Sequence, residues 1–146
     1  MKKIQIVLAD DDDDDRLLFK EAISQLKLNS ELTLVKNGNE LMKFLNEPKN
    51  TLPDLIFLDL NMPEKSGFQC LSEIRTSSVL NTLSVVIYST SSSDEDIEEC
   101  FIRGANIYIN KPNDFESLKS VILKVISTNL QYDTSALNKD NFLMII

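Results

Sequence analysis

Short apolar runs that alternate with stretches of helical length constrain this chain more than any other feature. Residues 4–9, 32–35, 55–58, 85–88 and 107–109 are each brief, rich in β-branched or large apolar side chains, and bounded by Asp, Asn, Pro or Ser, as strands are. Several are apolar without alternation, the pattern of parallel strands buried on both faces. Between them the spacing is helical. Leu17, Leu18, Ala22, Ile23 and Leu26 fall on one predicted face, and Phe68, Leu71 and Ile74 on another. Phe115, Leu118, Val121, Ile122, Val125 and Ile126 form an amphipathic stripe in the last helix, with Asp114 as its N-cap; Ser93 or Asp94 caps the fourth. The order is therefore βα repeated five times. That order predicts an α/β fold: a five-stranded parallel sheet, doubly wound with helices on both faces and right-handed crossovers. The usual strand order of such a sheet is 2-1-3-4-5, with its site at the carboxyl ends of strands 1 and 3.

The chain's 146 residues suit one domain with a full core. The repeat ends near residue 130, so residues 1–130 are expected to form the domain. Residues 131–146 form an extension too short for a separate output domain. That extension is polar until Phe142, Leu143, Met144, Ile145 and Ile146. An apolar end of this kind is expected to be ordered and buried against protein, and a homodimer is one way to bury it. No apolar run approaches the roughly 18 residues of a membrane span, and none is expected. The first strand runs straight into acid and lacks a small-residue cleavage site, so it reads as a strand and not as a signal peptide.

Six of the eight net negative charges fall in residues 10–15, an unbroken aspartate run. A chain so acidic makes a poor nucleic-acid partner, which needs clustered Lys and Arg. Cys70 and Cys100 match no zinc spacing and read as reduced thiols, consistent with a cytoplasmic location. There is no histidine, which removes imidazole acid–base chemistry and imidazole metal sites.

The chemistry follows from asking which polar residues end the strands. The first ends in Asp10 and Asp11, the third in Asp59, the fourth in Ser89 and Thr90, and the fifth is followed by Lys111 and Pro112. Three carboxylates, a hydroxyl and an amine thus converge on one rim. Two like charges about 4 Å apart repel by roughly 4 kcal/mol at an effective dielectric of about 20. Such a cluster needs a cation, or its members must change pKa. Oxygen ligands without His or Cys favour a hard ion, and a site with few carboxylates suits Mg²⁺. Asp12 to Asp15 read as solvated acids in the first helical turn, where the helix dipole favours them.

These motifs, in this order and spacing, resemble the receiver domain of two-component response regulators, close to its stand-alone chemotaxis-type and phytochrome-associated forms. The likeness runs from residue 4 to about 130. It implies the flavodoxin-like sheet order and a signalling protein that is not an enzyme. By that resemblance Asp59 is the phosphorylated aspartate, Asp10 and Asp11 are the acidic pair at Mg²⁺, and Asn61 supplies a backbone carbonyl to the metal. Ser89 is then the hydroxyl switch residue, Tyr108 the aromatic switch residue, and Lys111 the lysine that contacts the phosphoryl group. A cis Lys111–Pro112 bond is also implied. The implied partners are a sensor histidine kinase or phosphotransfer protein upstream and a downstream protein that reads the surface of the fourth helix, fifth strand and fifth helix. Ser89 stands where threonine is commoner in the family, and Thr90 where alanine is frequent.

Two other classes fit less well. A phosphohydrolase of the haloacid-dehalogenase type would use Asp10 as nucleophile, but it would leave Asp59 and Asn61 without a role, and Asp14 occupies a position that usually holds Thr or Val. A flavodoxin needs Ser, Thr and Gly after the first strand to hold a phosphate, and this chain has aspartates there. With three glycines and no GxGxxG or P-loop, nucleotide binding is not expected, and Gly67 and Gly104 read as backbone or packing positions.

Overall fold

The computed structural model describes residues 3–128 and the backbone of residues 143 and 144. Strands β1 (Ile4–Ala9), β2 (Ser30–Val35), β3 (Leu55–Leu58), β4 (Ser84–Ser89) and β5 (Ile107–Asn110) alternate with helices α1 (Asp13–Leu26), α2 (Gly38–Asn46), α3 (Gly67–Thr76), α4 (Asp94–Ile102) and α5 (Phe115–Ser127). These five strands are parallel and ordered 2-1-3-4-5. A two-residue strand, β6 (Leu143–Met144), adds to the β5 edge, with Tyr108 opposite Leu143 and Ile109 opposite Met144. The expectation that residues 142–146 are buried against protein otherwise falls on residues outside those described.

Strand periodicity divides the core in two. Val7, Ala9, Ile56, Leu58, Val85, Ile87 and Tyr108 point to the face covered by Leu41, Leu45, Leu71, Ile74 and Cys100 of α2, α3 and α4. Ile6, Leu8, Phe57, Val86, Tyr88 and Ile109 point to the face covered by Phe19, Ala22, Leu118, Val121 and Val125 of α1 and α5. Successive side chains of a strand alternate between faces, so a strand buried on both must be apolar throughout. This is why β3 and β4 show no polar alternation; all their residues are buried.

The helix ends are locally specified. Asp12, Asn37, Ser66, Ser93 and Asp114 each accept a backbone N–H from the first helical turn. Ser66 and Gln69 form a reciprocal capping box. The cap expected at Ser93 or Asp94 is Ser93. Cys70 and Cys100 are free and buried, and burial pushes their thiols up to about 11 and about 12.

Helix α1 corrects the face expected from Leu17 and Leu18. Those two are 66% and 49% exposed, while Arg16, Phe19, Ala22 and Ile23 turn inward. Phe19 meets Phe57 and Tyr88 edge-on, at centroid distances of 4.9 and 5.7 Å, which fixes the rotation of the helix.

Candidate functional site

The sheet brings the strand-terminal residues together by register. Ala9 pairs with Leu58, so Asp10 and Asp59, the next residues on each strand, lie side by side at the carboxyl rim. Their backbones continue the ladder: Asp10 donates to the Val35 carbonyl at 3.1 Å, and Asp59 to the Ala9 carbonyl at 2.9 Å. Ser89 pairs with Asn110, and Lys111 donates its backbone N–H to the Ser89 carbonyl at 2.8 Å. Gly67 holds the loop after β3 in place. Its N–H donates to the Leu60 carbonyl, and a Cβ here would stand 2.2 Å from the Asp59 carbonyl oxygen. Gly67 is thus a close-approach position that sets the backbone of Asp59 without touching its carboxylate.

Asp10, Asp11 and Asp59 each place a carboxylate oxygen within 4.8 Å of the others. Asp10 is fully buried and Asp59 nearly so, whereas Asp11 is exposed. Asn61 lies exposed in the loop leaving β3. The Lys111 ammonium lies 2.7 Å from Asp15 Oδ2, 2.9 Å from Asp10 Oδ2 and 3.4 Å from Asp59 Oδ2. Asp10 Oδ1 accepts the Asp12 N–H at 3.0 Å. Its other oxygen, Oδ2, is buried without a hydrogen-bond donor: Lys111 is close enough for an ion pair but not aligned for a bond. A buried carboxylate oxygen left in that state, beside two further carboxylates, fits a hard divalent cation.

The titration behaviour follows from this crowding. Burial raises the Asp59 carboxyl to about 6; the Lys111 charge opposes the rise and the Asp10 charge adds to it. Burial also raises Asp10, against the Asp12 N–H and Lys111. Lys111 is largely buried too, which disfavours its charge, but the hydrogen bond with Asp15 and the negative charges of Asp10 and Asp59 more than offset this and hold it above the usual lysine range.

The two switch candidates meet at one loop residue. Ser89 is fully buried and its Oγ accepts the Ser91 N–H at 3.1 Å; Tyr108 is fully buried and its hydroxyl donates to the Ser91 carbonyl at 2.8 Å. Ser91 in turn donates its hydroxyl to Asp96 at 2.7 Å, tying the loop to α4. Tyr108 is therefore inside the fold here, with its hydroxyl already engaged. Thr90 is exposed beside this loop. The implied cis bond is corrected: the described peptide bonds are all trans, Lys111–Pro112 included. The two isomers of an X–Pro bond differ by only about 0.5–1 kcal/mol, and the trans bond already presents the lysine to the carboxylates.

Three residues escaped the sequence reading. Asp15, expected to be solvated, is the nearest partner of Lys111. Arg16 is buried and donates from Nη1 to the Asp10 carbonyl at 2.7 Å, while its Nη2 pairs with Asp13. Ser91 joins Ser89, Tyr108 and α4. A cleft lined by Leu18, Tyr88, Pro112 and Phe115 opens beside Asp15 and Lys111, which accounts for the half-exposed Leu18.

The fold and this rim of acids define a class that sequence comparison names: the response regulator receiver domain profile matches residues 6–123, and the chain belongs to that family. Receiver domains are signalling domains, in general not catalytic enzymes, and they bind Mg²⁺ or Mn²⁺ at an acidic pocket. Their upstream partner is in general a histidine kinase or phosphotransfer protein. Among individual relatives, the response regulator Rcp1 of Synechocystis sp. is 29% identical over 121 residues, spanning 80% of this chain and 82% of that protein. The probable methanogenesis regulatory protein FilR2 of Methanothrix harundinacea is 28% identical over 123 residues, spanning 82% and 79%. Among solved structures, the phosphorylated cyanobacterial phytochrome response regulator RcpA superposes with a TM-score of 0.81 at 29% identity, over 93% of this chain and 98% of that one. The Mn²⁺-bound form of Rcp1 gives 0.78 at 27% identity, over 92% and 99%. Among the described residues no helix is long and apolar enough to cross a membrane.

Proposed function

We propose that this chain is a cytoplasmic phosphoacceptor in which residues 1–130 form the receiver and Asp59 takes the phosphoryl group from a histidine kinase or phosphotransfer protein. The observation that carries this reading is the buried Asp10–Asp59 pair, with its one orphaned oxygen, facing a lysine that stays charged. With a carboxyl pKa of about 6, Asp59 is mostly ionised above neutral pH and is a competent nucleophile. Its oxygen attacks the phosphorus of a phosphohistidine. The new O–P bond forms as the P–N bond breaks, and the electron pair leaves on the imidazole nitrogen, which takes up a proton. Asp10, Asp11, Asp59 and the Asn61 carbonyl would hold Mg²⁺, which when bound supplies positive charge to offset the transferring phosphoryl group.

Lys111 contacts the phosphoryl oxygens. The acyl phosphate brings about −1.5 to −2 charge and three acceptor oxygens. Ser89 then turns its hydroxyl to one of them and releases the Ser91 N–H. Because Ser91 also holds Tyr108 and Asp96, that exchange reaches α4 and β5 together, and the surface of α4, β5 and α5 is the output read by a partner protein. The protein is modified once per molecule and does not turn over substrate. Acetyl phosphate with Mg²⁺ should label the chain stoichiometrically at Asp59; steady release of phosphate without a labelled protein would instead mark a phosphohydrolase.

A further inference from the structure

We propose that Asp15 is a positioning residue that competes with the group on Asp59 for Lys111, so that a phosphoryl group on Asp59 must draw the lysine out of an existing ion pair. The inference rests on the reading of Asp59 as the phosphoacceptor and deepens it. The tightest contact of Lys111 Nζ is its hydrogen bond to Asp15 Oδ2 at 2.7 Å, between residues 96 apart in sequence, while its bond to Asp59 Oδ2 is long, at 3.4 Å. The lysine side chain is 9% exposed, so its amine has little water to share and its partners compete for it directly.

Asp15 departs from its neighbours in the same helical turn. Asp13 and Asp14 are exposed, but the Asp15 side chain is 33% exposed and reaches across to the loop after β5. An acid serving only the helix dipole would have no reason to engage a buried amine on another element. The competition has a direction. An unphosphorylated Asp59 offers one charge shared with Asp10, and Asp15 holds the lysine against it. An acyl phosphate offers about twice that charge, and the lysine moves to it, leaving Asp15 to water. Asp15 thereby sets how much of the affinity of the site for a phosphoryl group is spent on breaking an existing ion pair.

The test uses the full chain with Mg²⁺ and beryllofluoride, an anion with the shape and charge of a phosphoryl group, with binding followed by fluorine NMR. Asp15→Asn keeps the volume but not the charge and should bind about 3- to 10-fold tighter than the natural chain, in the lower part of the range of coupling between contacting groups. Asp15→Glu retains the ion pair and should return the affinity to near the natural value. Asp14→Asn removes the same charge from an exposed neighbour and should change it by less than about 2-fold. Thermal melts confirm that each variant is folded. Affinity of Asp15→Asn equal to or weaker than the natural chain overturns the proposal, as does an equal gain in Asp14→Asn or no return in Asp15→Glu. If the natural chain itself binds no beryllofluoride and takes no label, the reading of Asp59 has failed, and this inference fails with it.

Discussion

Two acidic stretches follow strands at the same rim of the sheet, and they have opposite fates. Residues 10–15 follow β1; Asp94, Glu95, Asp96, Glu98 and Glu99 open and line α4 after β4. By composition they are alike. The first begins one residue beyond a central strand, so Asp10 is wholly buried against Asp59 and a lysine. The second begins after a loop of four residues, and its acids stay at least partly in solvent, where Asp96 accepts the Ser91 hydroxyl and Glu99 pairs with Arg103. Position relative to the strand end, and not the density of charge, separates the buried acid from the solvated ones.

The largest expected break in that comparison is Lys111→Ala. It removes the cation that pairs with the carboxylates of Asp10, Asp15 and Asp59 and should destabilise the metal-free protein by about 3 kcal/mol in urea unfolding at pH 7.5, the cost of leaving buried carboxylates unpaired. Neutralising Arg103, the cation of the α4 stretch, should cost less, because its partner Glu99 is half exposed and the gain of such a pair is screened. Equal losses from the two would erase the distinction.

The pH dependence is the next largest. The Asp59 carboxyl rises to about 6 in the fold, from an ordinary value of 3.8. Between those limits the folded state holds more protons than the unfolded one, so stability falls as pH rises through about 4 to 6 and then levels. Asp10, also raised, acts in the same direction. Asp59→Asn should flatten this slope and stabilise the metal-free protein at pH 7.5 by on the order of 1–3 kcal/mol. Chemical unfolding at a series of pH values measures both, and a slope of the opposite sign would contradict the burial argument.

Of comparable size is the effect of Mg²⁺. A cation that binds only the folded state raises stability by RT ln(1 + [L]/Kd), about 2.7 kcal/mol at 100 times Kd. Asp10→Asn should lose most of this gain, whereas Glu95→Gln in α4 should keep it. The smallest expected change is Asp94→Asn itself, within about 0.3–1 kcal/mol, because it touches only the helix dipole.

What could be read in advance divides along the same physical line. β1, β3 and β4 end in residues that the sheet register must bring together, and a strand buried on both faces announces its own length. The placement of Asp10, Asp59, Ser89 and Lys111 at one rim was legible for that reason. Asp15, Arg16 and Ser91 were not, because their roles depend on how a helix and a loop rotate over the rim. Leu17, Leu18 and Phe19 are consecutive and apolar, so hydrophobicity alone leaves the face of α1 open; the aromatic packing of Phe19 on Phe57 decides it. Nor does spacing reveal β6, whose two residues join β5 from beyond the βα repeat. The trans Lys111–Pro112 bond was beyond reach as well, since so small an energy separates the isomers.

The central claim is that Asp59 carries the phosphoryl group. Its most direct test is intact-mass analysis after incubation with acetyl phosphate and Mg²⁺, on the natural chain and on Asp59→Asn. The account predicts one added phosphoryl group per natural chain, lost on treatment with hydroxylamine as an acyl phosphate should be, and none on the variant. Equal labelling of Asp59→Asn would place the phosphoryl group elsewhere and contradict the account.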